Sequence, residues 1–312
     1  MDQLVEIALA TYNGAKYIGD FLESLLKQTY PLWRLIVRDD GSTDATRDIL
    51  DTFKRDFPER IILIQDEPRN LGVHGNFNQV LLHSEAEYVM LADQDDIWLP
   101  TKVERTLSVM QSLSKKFGND IPLLVHTDLK VINAQGEVLA PSFWKYQNLD
   151  PNFSTLLNRL LVQNVVTGCT VMVNRALLER ALPIPGEAIM HDWWLGLVAA
   201  AFGKVAYIEE PTILYRQHGA NDTGAKRWGL PYILKKLREG AAGLRTSIHR
   251  TQVQAKAFLD RFKEDLDPRL FDQVSKYAEL GQMGYLQRRL VAFKYGFFKV
   301  GLVRNIGFYV AM

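Results

Sequence analysis

Four times in the first hundred residues an apolar run of strand length breaks off at a polar turn, and a segment with helical apolar spacing follows. Residues 4–10 read as a buried strand, and the next segment carries Ile18, Phe21, Leu22, Leu25 and Leu26 at i, i+3, i+4, i+7 and i+8. Residues 33–37 form the second strand. Its turn, Asp39-Asp40-Gly41-Ser42-Thr43-Asp44, offers Thr43 or Asp44 as N-cap of a helix bearing Ile49, Leu50 and Phe53. Residues 61–64 and 88–91 are the third and fourth strands. The helix after the third bears Phe77, Val80 and Leu81, and the helix that Pro100 opens bears Val103, Leu107, Met110 and Leu113. Four βα units in a row predict an α/β fold with a mainly parallel sheet and helices on both faces. Beyond them, residues 123–125, 165–173 and 205–208 read as strands and residues 192–201 as a helix.

In open α/β sheets, ligands bind outside the carboxyl ends of the strands. The polar clusters sit at those ends: Thr11-Tyr12-Asn13, Asp39-Asp40, Arg69-Asn70 and Asp93-Gln94-Asp95-Asp96. One cleft can gather all four. Three carboxylates within four residues repel one another, and a hard divalent cation, Mg2+ or Mn2+, relieves that repulsion. Such a cation takes its remaining ligands from substrate phosphate and water. The plain alternative is a solvated turn before a helix. Asp39-Asp40-Gly41-Ser42 is either an Asp-Gly turn with a helix cap, or a carboxylate that accepts from a base N–H or ribose hydroxyls. GxGxxG and GxxxxGK[ST] are both absent, so a nucleotide held here would need a metal for its phosphates rather than a glycine-rich cradle.

The motifs Val5-Glu6-Ile7-Ala8-Leu9-Ala10-Thr11-Tyr12-Asn13-Gly14, Arg38-Asp39-Asp40-Gly41-Ser42-Thr43-Asp44, Asn70-Leu71-Gly72 and Leu91-Ala92-Asp93-Gln94-Asp95-Asp96-Ile97-Trp98, in this order, resemble the family 2 glycosyltransferases of the GT-A fold. The resemblance covers roughly residues 1–225. Asp93-Gln94-Asp95-Asp96-Ile97-Trp98 and His191-Asp192-Trp193-Trp194 further resemble the bacterial rhamnosyltransferase-like branch, whose members build O-antigen, capsule or cell-wall polysaccharide. This implies a GT-A catalytic domain over 1–225, followed by a helical region over 226–312. It implies that Thr11, Tyr12, Asn13, Asp40 and Asn70 line the base and ribose site. Asp93 would face the ribose, Asp95 and His218 would hold the metal, and Arg216 would meet the diphosphate. Asp192 would be the general base of an inverting, single-displacement transfer. Gly168 would stand where donor and acceptor approach closely, and Trp193 would touch donor sugar or acceptor. The implied reaction moves a sugar, L-rhamnose from dTDP-rhamnose in this branch, onto a hydroxyl of a lipid-linked saccharide.

The residues themselves leave alternatives. Asp192 reads equally as a helix cap with packing tryptophans beside it, and His218 as a loop histidine. His126-Thr127-Asp128, at a strand end, is the rival site for the base or for a donor-sugar contact. An aspartate, with a reference pKa of about 3.9, is a weak base that accepts the proton late in the attack.

Charge adds a second constraint. The net of +1 argues against a nucleic-acid partner, but it conceals an asymmetry. Residues 1–225 hold 20 Lys and Arg against 29 Asp and Glu, whereas 226–312 hold 17 against 7. An acidic body with a basic helical region suggests an anionic surface as partner, such as the inner face of the cell membrane. A homo-oligomer contact, or packing onto the catalytic domain, would use the same region. Its cations include Lys235-Lys236-Leu237-Arg238 and Arg288-Arg289. Lys294, Lys299 and Arg304 are each about 140° apart on a helix, which counts against one clean in-plane helix: either they snorkel from a partly immersed helix, or they mark two short helices broken near Gly296 or Gly301. Cys169 is the lone cysteine, read as a buried small residue; it rules out an intramolecular disulfide and fits a reducing, cytoplasmic setting. Neither a signal peptide nor an uninterrupted apolar run of spanning length is visible.

Three other functions use parts of this pattern. A sugar-nucleotide-forming nucleotidyltransferase needs a Gly-rich basic loop after the first strand, but Thr11-Tyr12-Asn13-Gly14-Ala15-Lys16 has a single glycine. A metal-dependent hydrolase would use the same carboxylates without an acceptor. A non-catalytic membrane scaffold would explain the basic region and leave Asp93, Asp95 and Asp192 without a role.

Overall fold

The computed structural model describes residues 3–219, 224 and 227–312, with side chains at all of these except 230–241. The expected boundary at 225–226 and the side chains of Lys235-Lys236-Leu237-Arg238 lie outside the described residues. The strands are β1 (Val5–Thr11), β2 (Trp33–Asp39), β3 (Ile61–Ile64), β4 (Tyr88–Ala92), β5 (Ile97–Trp98), β6 (Leu123–Asn133), β7 (Val138–Ala140), β8 (Met172–Asn174) and β9 (Lys204–Gln217). The helices are α1 (Ile18–Leu26), α2 (Thr46–Asp56), α3 (Gly72–Leu82), α4 (Lys102–Phe117), α5 (Phe143–Gln147), α6 (Leu157–Leu160), α7 (Arg175–Ala181), α8 (His191–Phe202), α9 (Leu230–Phe262), α10 (Pro268–Ala278), α11 (Tyr285–Lys294) and α12 (Leu302–Ala311).

The sheet runs β3-β2-β1-β4-β8-β6-β9-β5, with β7 hydrogen-bonded to β6. The four strands of the βα units are parallel, with Val5 opposite both Trp33 and Tyr88. Parallel strands directed alike place all four polar turns at one edge, as the sequence pattern requires. β8 enters antiparallel between β4 and β6, and β5 pairs antiparallel with β9. The strand expected at 123–125 extends to Asn133 and that at 205–208 to Gln217, because β6 and β9 pair in parallel along their lengths. Residues 165–173 are not one strand. Thr170 and Val171 donate to the carbonyls of Thr167 and Gly168, folding 168–170 into a 3-10 turn, and only Met172–Asn174 pair as strand.

Side-chain alternation splits the core into two layers. Ile7 and Leu9 face α1 and α4 through Phe21, Leu22, Val103 and Leu107. Ala8, Val89 and Leu91 face α3, α7 and α8 through Phe77, Val80, Leu177 and Trp194. The described C-terminal helices join this second layer. Trp194 lies 5.6 Å from Phe258 and 6.0 Å from Phe262 of α9, while Tyr277, Phe297 and Phe308 are buried in the same core. The chain between α11 and α12 carries Gly296 at φ 69° and Gly301 at φ 81°, left-handed values that end one helix and start the next. Of the two arrangements the sequence left open, this is the pair of short helices broken at these glycines. No helix among the described residues is long and apolar enough to cross a membrane.

Candidate functional site

The loops after β1 and β2 are stitched together before any ligand is considered. Asn13, at φ 46°, donates its backbone N–H to Ser42 Oγ and accepts the Thr43 N–H on its side-chain oxygen. Asp39 accepts from Thr11 Oγ1 and the backbone amides of Gly41 and Ser42. Asp44 accepts from Thr46 and Ala15 rather than capping α2, whose N-cap position is Ala45. Asp40 is buried, with its two oxygens on the amides of Leu71 and Gly72 at 2.9 and 2.8 Å. It thereby fixes Asn70, itself at φ 62°, at the start of α3. Behind Asp40, buried Arg38 donates to Asp40, Asp66 and Asn76, a clamp that motif spacing did not reveal. Asn76 breaks the apolar face of α3 one residue before Phe77, the one sequence signal for that clamp.

After β4 the acidic turn is anchored by its middle residue. Gln94 exchanges two hydrogen bonds with the Tyr12 backbone, at 3.0 and 2.9 Å. A Cβ on Gly14 would come within 2.3 Å of the Gln94 side-chain amide, so a larger residue there would push Gln94 off the Tyr12 backbone. Asp95 Oδ2 lies 2.7 Å from His218 Nε2. The His218 ring stacks on Tyr17 at 4.7 Å. Ligands in cis positions on an octahedral cation, at about 2.1 Å each, stand about 3.0 Å apart. The Asp95–His218 pair could hold a divalent cation at that spacing in place of the hydrogen bond they make to each other. Asp93, Asp96 and Cys169 also bring ligand atoms within 4.8 Å of one another. That trio suits a hard cation less well. Burial pushes the Asp96 carboxyl and the Cys169 thiol well up, toward their protonated forms. Cys169 is buried, as read from the sequence.

Across the cleft, Asp192 sits in the first turn of α8, where Met190 is the N-cap, so it does not cap the helix. Asn164 Nδ2 donates to its Oδ1 at 3.1 Å, and the backbone N–H groups of Trp193 and Gly168 also donate to the carboxylate. Burial nonetheless raises its pKa to about 6. A Cβ on Gly168 would lie 3.0 Å from His191 Nε2 and 3.4 Å from Asp192 Oδ2. His191 stacks on Phe77 at 3.9 Å, and burial pushes its pKa down to about 3, so its imidazole is neutral.

These groups line one cleft of about 1150 Å³. Thr11, Tyr12, Asn13, Asp40 and Asn70 stand along it with Asp93, Asp95, His218, Gly168 and Asp192. Four expected residues lie elsewhere. Arg216 is buried below the acidic turn, where its guanidinium donates to the Asp95 and Ala134 carbonyls and to Asp20, and it does not line the cleft. His126 is fully buried against Ser154, its pKa pushed down to about 3 by burial. Asp128 is buried, accepting from Ser142 and from the amides of Leu129, Phe143 and Trp144, so it shapes α5. Trp193 donates its indole N–H to the Leu160 carbonyl at 2.6 Å and packs there. Sequence reading missed Tyr17, Gln94, Asn164, His191 and Arg304, all of which line the cleft or orient a group that does.

The family model described as "Glycosyl transferase family 2" matches residues 6–181. The chain is 33% identical over 184 residues to the UDP-Glc:alpha-D-GlcNAc-diphosphoundecaprenol beta-1,3-glucosyltransferase WfgD of Escherichia coli, covering 57% of this chain and 63% of that protein. It is 28% identical over 228 residues to the dTDP-rhamnosyl transferase RfbG of Shigella flexneri, covering 70% and 74%. The chain thus spans roughly two thirds of the length of such relatives. Among solved structures, the fold matches the mannosyltransferase PcManGT of Pyrobaculum calidifontis in complex with GDP-Man and Mn2+, with a TM-score of 0.52, 16% identity and coverage of 95% and 74%.

Proposed function

Because the chain belongs to glycosyl transferase family 2, we propose that it transfers a sugar from a nucleoside diphosphate donor to a hydroxyl of a lipid-linked bacterial saccharide, inverting the anomeric centre. The observation that carries this reading is Asp192, a buried carboxylate in one cleft with Asp93, Asp95 and His218. Tyr12, Asp40 and Asn70 take the nucleoside end, with Asp93 toward the ribose. The acceptor hydroxyl enters over Gly168, where no side chain stands. Asp192 takes its proton as the new C–O bond forms, and the bond from the anomeric carbon to the diphosphate oxygen breaks with its electron pair leaving on the nucleoside diphosphate. A pKa near 6 keeps Asp192 ionised at neutral pH while making it a stronger base than an exposed aspartate. Asp95 and His218 would hold a divalent cation, which when bound supplies charge neutralisation at the diphosphate.

The favoured donor is dTDP-rhamnose, on the His191-Asp192-Trp193-Trp194 motif and the likeness to RfbG. A diphospholipid acceptor is favoured by the likeness to WfgD, and in this reading the enzyme works at the inner face of the membrane. Residues 1–225 form the catalytic unit in this reading, and 226–312 serve its placement. The test is a transfer assay with dTDP-rhamnose and UDP-glucose, a diphospholipid-linked sugar acceptor, and Mg2+ or Mn2+. Metal-dependent product requiring acceptor supports the proposal. Release of free sugar without acceptor, or of pyrophosphate from sugar phosphate and nucleoside triphosphate, overturns it.

A further inference from the structure

Residues 280–312 carry five basic side chains and no carboxylate. Within them Phe298, in the loop between α11 and α12, bridges the two helices: it lies edge-on to Phe293 of α11 at 5.9 Å and stacks on Tyr309 of α12 at 6.0 Å. Their inner faces, through Ala292, Phe308 and Ala311, close the core. Their outer faces are apolar and bare. Leu286, Leu290 and Phe293 are 72%, 71% and 73% exposed, and Leu302, Ile306 and Val310 are 76%, 55% and 67% exposed. At about 100° per residue, the three on α11 fall within about 60° of arc, with Arg289 on one margin and Lys294 on the other. The three on α12, with Val303, fall within about 100° and include no charged residue. A soluble surface rarely leaves large apolar side chains contiguous in this way.

The outer face is tied to the cleft. Arg304 lines it and donates to the carbonyls of Gln147 and Asn148. Val300 N–H donates to Gln163 Oε1, and Asn158 Nδ2 donates to the Tyr295 carbonyl. Leu302 and Val303 therefore precede, on the same helix, a side chain that forms the cleft wall.

We propose that the outer face of α11 and α12 docks on an anionic lipid bilayer and sets the Arg304 edge of the cleft at headgroup level. Apolar stripes with cations at their margin suit an interface where the stripe enters the acyl boundary and the cations reach lipid phosphates. A second copy of this chain fits less well. A two-fold contact would bring the same cations together with no carboxylate from this segment to offset them. The purpose of the docking rests on the lipid-linked acceptor proposed above; the docking itself is measured apart from transfer.

The experiment floats the full chain with vesicles of phosphatidylglycerol or of phosphatidylcholine, beside the combined variant Leu290→Gln, Phe293→Gln, Ile306→Gln, Val310→Gln and the single variant Lys294→Glu. All four replaced apolar side chains are exposed, so the fold and donor-nucleotide binding should persist, and a thermal melt with and without nucleotide checks this. The expected result is flotation with phosphatidylglycerol, weakened by salt, and a loss of about tenfold or more in the combined variant, with a smaller loss for Lys294→Glu, which also serves if the combined variant fails to fold. Equal flotation of wild type and variants, or equal flotation with phosphatidylcholine, overturns the proposal. So does a wild-type dimer in sedimentation velocity that the combined variant dissolves. Transfer to a soluble acceptor that persists while flotation fails would sink the docking and leave the glycosyltransferase reading standing.

Discussion

His218 Nε2 lies 2.7 Å from Asp95 Oδ2, across 123 residues of sequence, with both side chains 15% exposed toward the cleft. The contact joins the turn after β4 to the end of β9. Asp95→Ala and His218→Ala should each abolish the extra thermal stabilisation that Mg2+ or Mn2+ adds to nucleotide binding, and slow transfer by roughly 10²–10³. Melting curves with nucleotide, with and without EDTA, read the first effect. A wild-type transfer rate indifferent to EDTA would remove the cation from the scheme.

Asp192 must be ionised to accept a proton, and burial raises its pKa to about 6. Transfer should therefore fall as pH drops through about 6, tenfold per unit below it, and level off above. The stability sign is opposite to that of a salt-bridged aspartate. A carboxyl with a folded pKa above its unfolded value binds its proton more tightly when folded, so this group's contribution weakens as pH rises from about 4 to about 6. Asp192→Asn should cut transfer by about 10²–10⁴ and flatten the acid limb, with nucleotide binding unchanged. Near-normal turnover in that variant would take Asp192 out of the role.

The four βα units were legible because each couples a change of hydrophobic period to a polar turn, and parallel strands then force those turns to one edge. The direction of single side chains was not legible. Arg216 follows cleft-lining Tyr215, and alternation along β9 turns it to the other side, onto Asp20 and the Asp95 carbonyl, whereas His218 lies past the strand end. Asp128 follows the strand expected at 123–125 and looks available, yet it lies mid-strand in β6, and its partners Ser142, Phe143 and Trp144 come from the next hairpin and helix, at spacings no local pattern encodes. The packing of the C-terminal helices rests on pairs such as Trp194 and Phe258, which neither charge nor composition reports.

Asp128 separates the two candidate bases by experiment. It is buried and accepts hydrogen bonds from Ser142 and three backbone amides. Asp128→Ala leaves those donors without a partner and should cost about 1–3 kcal/mol of stability. At a temperature where the variant stays folded, kcat should be within a few-fold of wild type. A folded variant with the rate collapse expected of Asp192→Asn would instead make Asp128 a participant.

Gly168 tests how closely the reacting groups must approach. A methyl group there would meet His191 Nε2 at 3.0 Å and Asp192 Oδ2 at 3.4 Å, both on the rigid first turn of α8. Neither neighbour is the free end of a flexible chain, because His191 is stacked on Phe77 and Asp192 is held by Asn164. Gly168→Ala should thus displace the carboxylate by a few tenths of an ångström and occupy the acceptor's approach. Misplacement on that scale costs up to about 10² in rate, with an overpacking penalty near 1–3 kcal/mol. Steady-state kinetics should show the acceptor KM rising and kcat falling while the donor KM holds. An unchanged acceptor KM would mean that the acceptor does not pass over Gly168.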